Sequence, residues 1–184
     1  LLKSKKTPQL IQLIMDSDTN MIPFEILNDG YDFLSDYIIF SRSFIDSKQY
    51  NTDQFLIDSD KIFTIVGNPS ESNDIMVDVN NECNHISKLI APSFDLRGPY
   101  TKRYVNKIEL IHLLGISSFF HFSGHYSINN RKQGWQLFDD IFTDSDIKKI
   151  SKSPEFLFSN SCGMTSGSFI NSFLVKGTKS IIFS

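Results

Sequence analysis

Two short apolar runs constrain this chain more than any other feature in it. Phe119-Phe120-His121-Phe122-Ser123 ends on Gly124-His125, and Phe156-Leu157-Phe158-Ser159 ends on Asn160-Ser161-Cys162-Gly163. Short, aromatic-rich runs without an alternating polar face suit strands buried on both sides of a sheet. So one imidazole and one thiol each sit where a buried strand stops and a small-residue turn begins. In open α/β sheets, ligands bind in the crevice outside the carboxyl ends of the strands. If these two strands are neighbours, His125 and Cys162 meet in that crevice.

The rest of the chain supplies strands and helices in alternation. Pro8 to Met15 reads as a strand, with Asp16-Ser17-Asp18 as the turn after it. Ile22 to Leu27 opens a short helix with Pro23 at its first position, stopped by Asn28-Asp29-Gly30. Tyr37 to Phe40 and Ile62 to Val66 are two further β-rich runs, the latter closed by Gly67-Asn68-Pro69. A helical stripe of Cys83, Ile86, Leu89 and Ile90 makes Cys83 a buried small hydrophobe. Tyr104, Val105, Ile108, Ile111 and Leu114 mark a second amphipathic helix, ended by Gly115 as a C-cap residue. Ser127 to Gly134 is polar and reads as a loop, and Trp135 to Phe142 as a hairpin turning at Asp139-Asp140. Thr143 and Asp146 have capping-box spacing for a helix from Asp144 to about Ile150. Ser168 to Val175 is a last helix with Gly177 behind it, and the chain stops in one more strand. This alternation predicts an α/β fold with a central, mostly parallel sheet covered by helices on both sides.

With 184 residues, the expectation is a single domain spanning 1–184. An apolar content of 40% and a charged content of 21% are ordinary for a globular protein. A net charge of −3 gives no footing for nucleic acid, which calls for a basic face. No apolar run is long enough to span a membrane, and no signal-peptide pattern is present. Two cysteines are too few for a disulfide framework, so Cys162 is read as a free thiol and the compartment as cytoplasmic. The lack of an initiating Met and the closing Lys179-Ser180-Ile181-Ile182-Phe183-Ser184 read as a piece cut from a longer protein.

A thiol becomes a good nucleophile when a neighbouring imidazole or a helix N-terminus lowers its pKa. Both devices are at hand for Cys162: His125, and the helix that begins near Ser168. Attack on a carbonyl also needs backbone N–H groups aimed at the developing oxyanion. The N–H groups of Cys162 and Tyr126 are the natural candidates, and Ser161 and Gly163 leave room for a peptide beside the sulfur.

Here the chain resembles a known family, the CHAT-type domains of the caspase-like cysteine peptidases. Phe120-His121-Phe122-Ser123-Gly124-His125 is similar to that family's His-bearing strand end, and Ser159-Asn160-Ser161-Cys162 to its Cys-bearing one. Ile22-Pro23-Phe24-Glu25-Ile26-Leu27 resembles its Pro-aromatic-Glu-Leu-Leu segment, and Val66-Gly67-Asn68-Pro69 its strand-end turn. Leu137 to Thr143 resembles the short hairpin leading to a helix. The motifs follow one another in the family's order across most of the chain. The resemblance implies a caspase-like three-layer α/β/α sandwich and a cysteine endopeptidase with His125 as base and Cys162 as nucleophile. It implies a protein substrate, no cofactor and no metal. Helical-repeat or sensor segments of the same longer protein would be its partners. The family usually has Gly after the catalytic His, whereas this chain has Tyr126, which keeps the backbone N–H.

Blander readings stand beside these. His121, inside its strand, is read as structural, and His85 and His112 as surface or half-buried helix residues. A zinc site built from His121, His125 and Cys162 would have only three ligands. Asp139 and Asp140 are turn residues before they are a pocket for a basic side chain, and Asn160 is a candidate pocket wall. A phosphatase loop would want Arg where Ser168 stands, the Gly163–Gly167 run misses the nucleophile-elbow pattern, and no P-loop is present. The rival of another class is a catalytically silent caspase-like module serving as a scaffold or protein-binding domain.

Overall fold

The computed structural model describes residues 9–16, 19, 22, 24–28, 30–36, 38–44, 60–67, 77–101, 104–128, 132–161 and 167–183. The chain divides into two compact units, Leu1–Lys48 and Gln49–Ser184.

In the first unit, β1 (Gln9–Met15) pairs in parallel with β2 (Ile38–Phe44), Gln9 opposite Ile38 and Met15 opposite Phe44. Asp16 closes β1 by accepting from the Thr19 amide at 2.8 Å. The helix expected from Ile22 to Leu27 is a single 3-10 turn, Phe24–Ile26. Pro23, its expected opening residue, lies outside the described residues. Gly30, at φ +102°, receives Asn28 Oδ1 on its amide in the turn that follows.

The second unit is built on a five-stranded sheet. Its strands are β3 (Ile62–Gly67), β4 (Asp95–Thr101), β5 (Phe119–Ser123), β9 (Phe156–Asn160) and β10 (Ser180–Phe183). They lie in the order β10-β9-β5-β3-β4, and every pairing is parallel. The connections carry α1 (Val77–Ile90), α2 (Lys107–Ile116), α3 (Asp144–Ile147) and α4 (Gly167–Val175). An antiparallel ribbon of β6 (Tyr126–Ile128), β7 (Gln133–Gln136) and β8 (Ile141–Thr143) is inserted between β5 and α3.

The order of strands settles where the helices go. From β3 the chain steps to β4 on one side, then returns past β3 to β5 and continues outward to β9 and β10. Right-handed crossovers therefore place α1 on one face and the later helices on the other. The contacts agree. Cys83 of α1 covers Gly67 at the end of β3, so closely that a Cβ there would lie 2.5 Å from its sulfur. On the opposite face the Ser117 hydroxyl, just past α2, donates to Thr64 Oγ1 at 2.6 Å. On that same face Phe169 and Phe173 of α4 pack against Trp135 of β7, which stacks on Phe122 at 4.2 Å between ring centroids. Trp135, Phe120, Phe122, Phe142 and Phe173 have no exposed surface and form the centre of this core.

Several expectations need correction. Asp95–Thr101 is an edge strand that the Gly98-Pro99 pair disguises, since proline is tolerated at sheet edges and bulges. The register with β3 shifts there, and Gly98, at φ +100°, sits where a Cβ would strike the Ile65 carbonyl. The polar stretch from Ser127 to Gly134 is not a loop throughout but contributes to β6 and β7. Gly115 does not cap α2. The helix runs on to Ile116 with Ser117 as C-cap, and Gly115 lets the chain at Ser151 approach. The buried residues of α2 are Leu110, Leu113 and Leu114, whereas Ile108 and Tyr104 face outward. Leu89 is likewise exposed on α1. The capping box at Thr143 is present, Asp146 accepting from the Thr143 amide at 3.1 Å and from its hydroxyl at 3.0 Å. The helix it opens stops at Ile147.

Candidate active site at the carboxyl ends of the sheet

The strands that carry the two candidate positions are neighbours. β5 and β9 pair in parallel with Ser123 opposite Asn160, and the Gly124 amide extends the ladder by donating to the Asn160 carbonyl at 3.1 Å. The strand order reverses between β3 and β5, so the switch point, where open α/β sheets hold ligands, lies directly beside them.

His125 is half-buried and follows β5 after Gly124. Its carbonyl accepts from Gln136 N at 2.9 Å, which anchors the residue to the ribbon. In that register Tyr126 and Trp135 form a non-hydrogen-bonded pair, so the Tyr126 N–H is directed away from β7. The Tyr126 ring rests edge-on against Phe169, 5.5 Å between centroids. Cys162 lies outside the described residues, as do Gly163 to Ser166. The last described positions before it, Asn160 and Ser161, are held from opposite faces of the sheet.

On the aromatic face, Ser159 Oγ accepts from Trp135 Nε1 at 3.1 Å and lies 2.8 Å from Ser161 Oγ. All three side chains are buried. On the α1 face, Glu82 reaches across both strands. Its Oε2 accepts from Ser123 Oγ at 3.0 Å and from Asn160 Nδ2 at 2.9 Å. Its Oε1 is 3.4 Å from His121 Nε2, which makes no hydrogen bond. The His121 ring is buried and stacks on Phe158, 5.0 Å away and 10° from parallel. Burial pushes the His121 pKa down, and the Glu82 carboxylate opposes that only in part.

Glu82 is the residue that reading the sequence missed. Its partners lie 41 and 78 positions away along the chain, so no local pattern announces it. The one available signal was strand parity: Ser123 and Asn160 stand two residues before His125 and Cys162, the same offset in each strand.

The remaining candidates have ordinary placements. Cys83 is fully buried, and burial, reinforced by the Glu82 charge, pushes its thiol up to about 12. Asp140 is engaged in its turn by Lys107 at 2.8 Å and Lys132 at 2.6 Å, and these bonds hold its carboxyl well below the usual carboxylate range. His85 and His112 are exposed. Among the described residues, no group of three or more His, Cys, Asp or Glu is arranged to hold a metal ion, and no helix is long and apolar enough to cross a membrane.

Comparison of the chain with protein-family models, with curated proteins and with solved structures finds no match in any of the three.

Proposed function

We propose that this chain is a caspase-like cysteine endopeptidase, its sheet unit a three-layer α/β/α domain of the CHAT type. The observation that carries the reading is the parallel pairing of β5 with β9 beside the switch point. It brings the strand that precedes His125 next to the strand that precedes Cys162. In the proposed reaction the His125 imidazole takes the proton of the Cys162 thiol. The thiolate adds to the carbonyl carbon of the scissile peptide bond, and the oxyanion is held by the N–H groups of Cys162 and Tyr126. The carbon–nitrogen bond breaks as His125 returns the proton to the leaving amine. Water then hydrolyses the thioester with His125 again acting as base, releasing an acid and the free thiol. The substrate is a protein segment bound in extended form across the carboxyl edge of the sheet. A catalytic thiol of this kind works in a reducing compartment, the cytoplasm.

The test is the rate of iodoacetamide labelling at Cys162 as a function of pH, in wild type and His125→Ala. Cys83 does not interfere, because its thiol is buried and pushed up to about 12. The expected result is labelling that persists well below the free-thiol pKa of about 8.5 and vanishes at low pH in His125→Ala. Slow labelling that His125→Ala leaves unchanged would remove the dyad, and the same fold would then be read as a protein-binding scaffold.

A further inference from the structure

Glu82 joins the two strand ends on which the proposed dyad depends. It projects from α1, a separate element, and its Oε2 takes one hydrogen bond from β5 through Ser123 and one from β9 through Asn160. The stack of His121 on Phe158 ties the same two strands one pleat earlier, with His121 Nε2 beneath the other carboxylate oxygen. Ser123 and Asn160 are the last residues of β5 and β9, each two positions before a member of the proposed dyad in the sequence. We infer that Glu82 is a positioning residue: by holding Ser123 and Asn160 on one oxygen it sets the spacing of the β5 and β9 ends, and so the separation at which His125 meets the nucleophile.

This rests on the peptidase reading for its catalytic consequence, but the tie itself can be measured separately. It also makes a prediction opposite to that of simple electrostatics. A carboxylate acting only as a nearby negative charge would disfavour a thiolate, so its removal would extend Cys162 reactivity to lower pH. A positioning carboxylate does the reverse. The tie is also distinct from a contribution to folding alone, which would move the melting temperature and leave the pH profile in place.

The experiment compares wild type, Glu82→Gln and Glu82→Ala by two readouts. One is amide hydrogen exchange at Gly124, whose N–H bonds the Asn160 carbonyl between the two strand ends. The other is the pH profile of iodoacetamide labelling at Cys162. Glu82→Ala is expected to speed Gly124 exchange and to lower labelling at about pH 6 by on the order of tenfold to a hundredfold, the scale of a small misplacement at a reacting centre. Glu82→Gln keeps an acceptor oxygen for Ser123 and Asn160 and is expected to retain most of both. Increased low-pH labelling in either variant, or unchanged exchange and labelling in Glu82→Ala, overturns the inference. If wild type itself lacks His125-dependent labelling, the peptidase reading fails, and Gly124 exchange alone then decides whether Glu82 ties the strands.

Discussion

Phe120 and Phe122 of β5 point to one side of the sheet, His121 and Ser123 to the other, and the two sides are built differently. The first meets Trp135 and, beyond it, Phe142, Phe169 and Phe173, a core of stacked and edge-on rings. The second has Phe119 clustered with Phe63, Phe94 and Phe156 at the start of the strand, and toward the carboxyl end it meets α1 through a carboxylate, an imidazole, a hydroxyl and an amide. Aromatic burial is large and non-directional, whereas hydrogen bonds add little net free energy but fix geometry. One strand thus serves two purposes through the alternation of its side chains. At the carboxyl half of the strand, the Trp135 face contributes apolar burial and the α1 face contributes directional bonds at the strand ends.

The largest expected effect lies on the aromatic face. Phe122→Ala should cost about 3–5 kcal/mol in urea denaturation, the usual range for emptying a fully buried aromatic site. If the faces are separate in function, the folded fraction of that variant keeps the wild-type pH profile of labelling at Cys162. A changed profile would break the comparison.

A sharper contrast comes from two adjacent residues. Ser159→Ala leaves Trp135 Nε1 without its acceptor in a site with no exposed surface, and should cost about 1–3 kcal/mol. Asn160→Ala removes a donor from Glu82, whose side chain is 29% exposed and can take water instead. Its expected cost is below about 1 kcal/mol. Equal losses from the two substitutions would mean that the α1 face carries as much stability as the aromatic one.

The smallest effect at neutral pH belongs to His121. Burial depresses its pKa below the ordinary 6.5, so the folded protein resists a proton that the unfolded chain accepts. Its contribution is therefore complete above about pH 6.5 and declines as the pH falls from there toward the depressed value. His121→Phe, which preserves a ring to stack on Phe158, should flatten the stability curve below about pH 6.5 and change little at pH near 8. Chemical denaturation at a series of pH values reads this directly, and an unaltered slope would remove His121 from the acid response.

What could be read from the chain follows the reach of the signals. β5, β9 and β10 are legible because their apolar runs are compact and bounded by small residues. The Thr143–Asp146 cap is legible because both partners lie within one turn. Cys83 is legible from its helical stripe, and the structure buries it completely. α2 is legible as a helix but not in phase. Ile108, Leu110, Ile111, Leu113, Leu114 and Ile116 crowd apolar residues around most of its circumference, and only packing selects the buried ones. β4 is hidden by a Gly-Pro pair, which a sheet edge with a register shift tolerates. β6 and β7 are polar strands, ordered where Trp135 docks into the core and Gly134 faces Phe142 and Thr143. Glu82 is the extreme case, since its role exists only once three distant elements have come together.

The strand order also governs how the sheet can be assembled in time. β3 and β4, joined through α1, form a local pair, but β5 and then β9 dock on the opposite edge of β3 from far later in the chain. During synthesis from the N-terminus, the face of β5 bearing Phe120 and Phe122 emerges before Trp135, Phe169 and Phe173, which cover it. Pairings of such sequence separation are entropically late, since the intervening loop must close before any contact rewards it. Trp135, the single tryptophan of the chain, reports on that last step. Its fluorescence follows the moment at which the sheet, already half formed, acquires its aromatic cover.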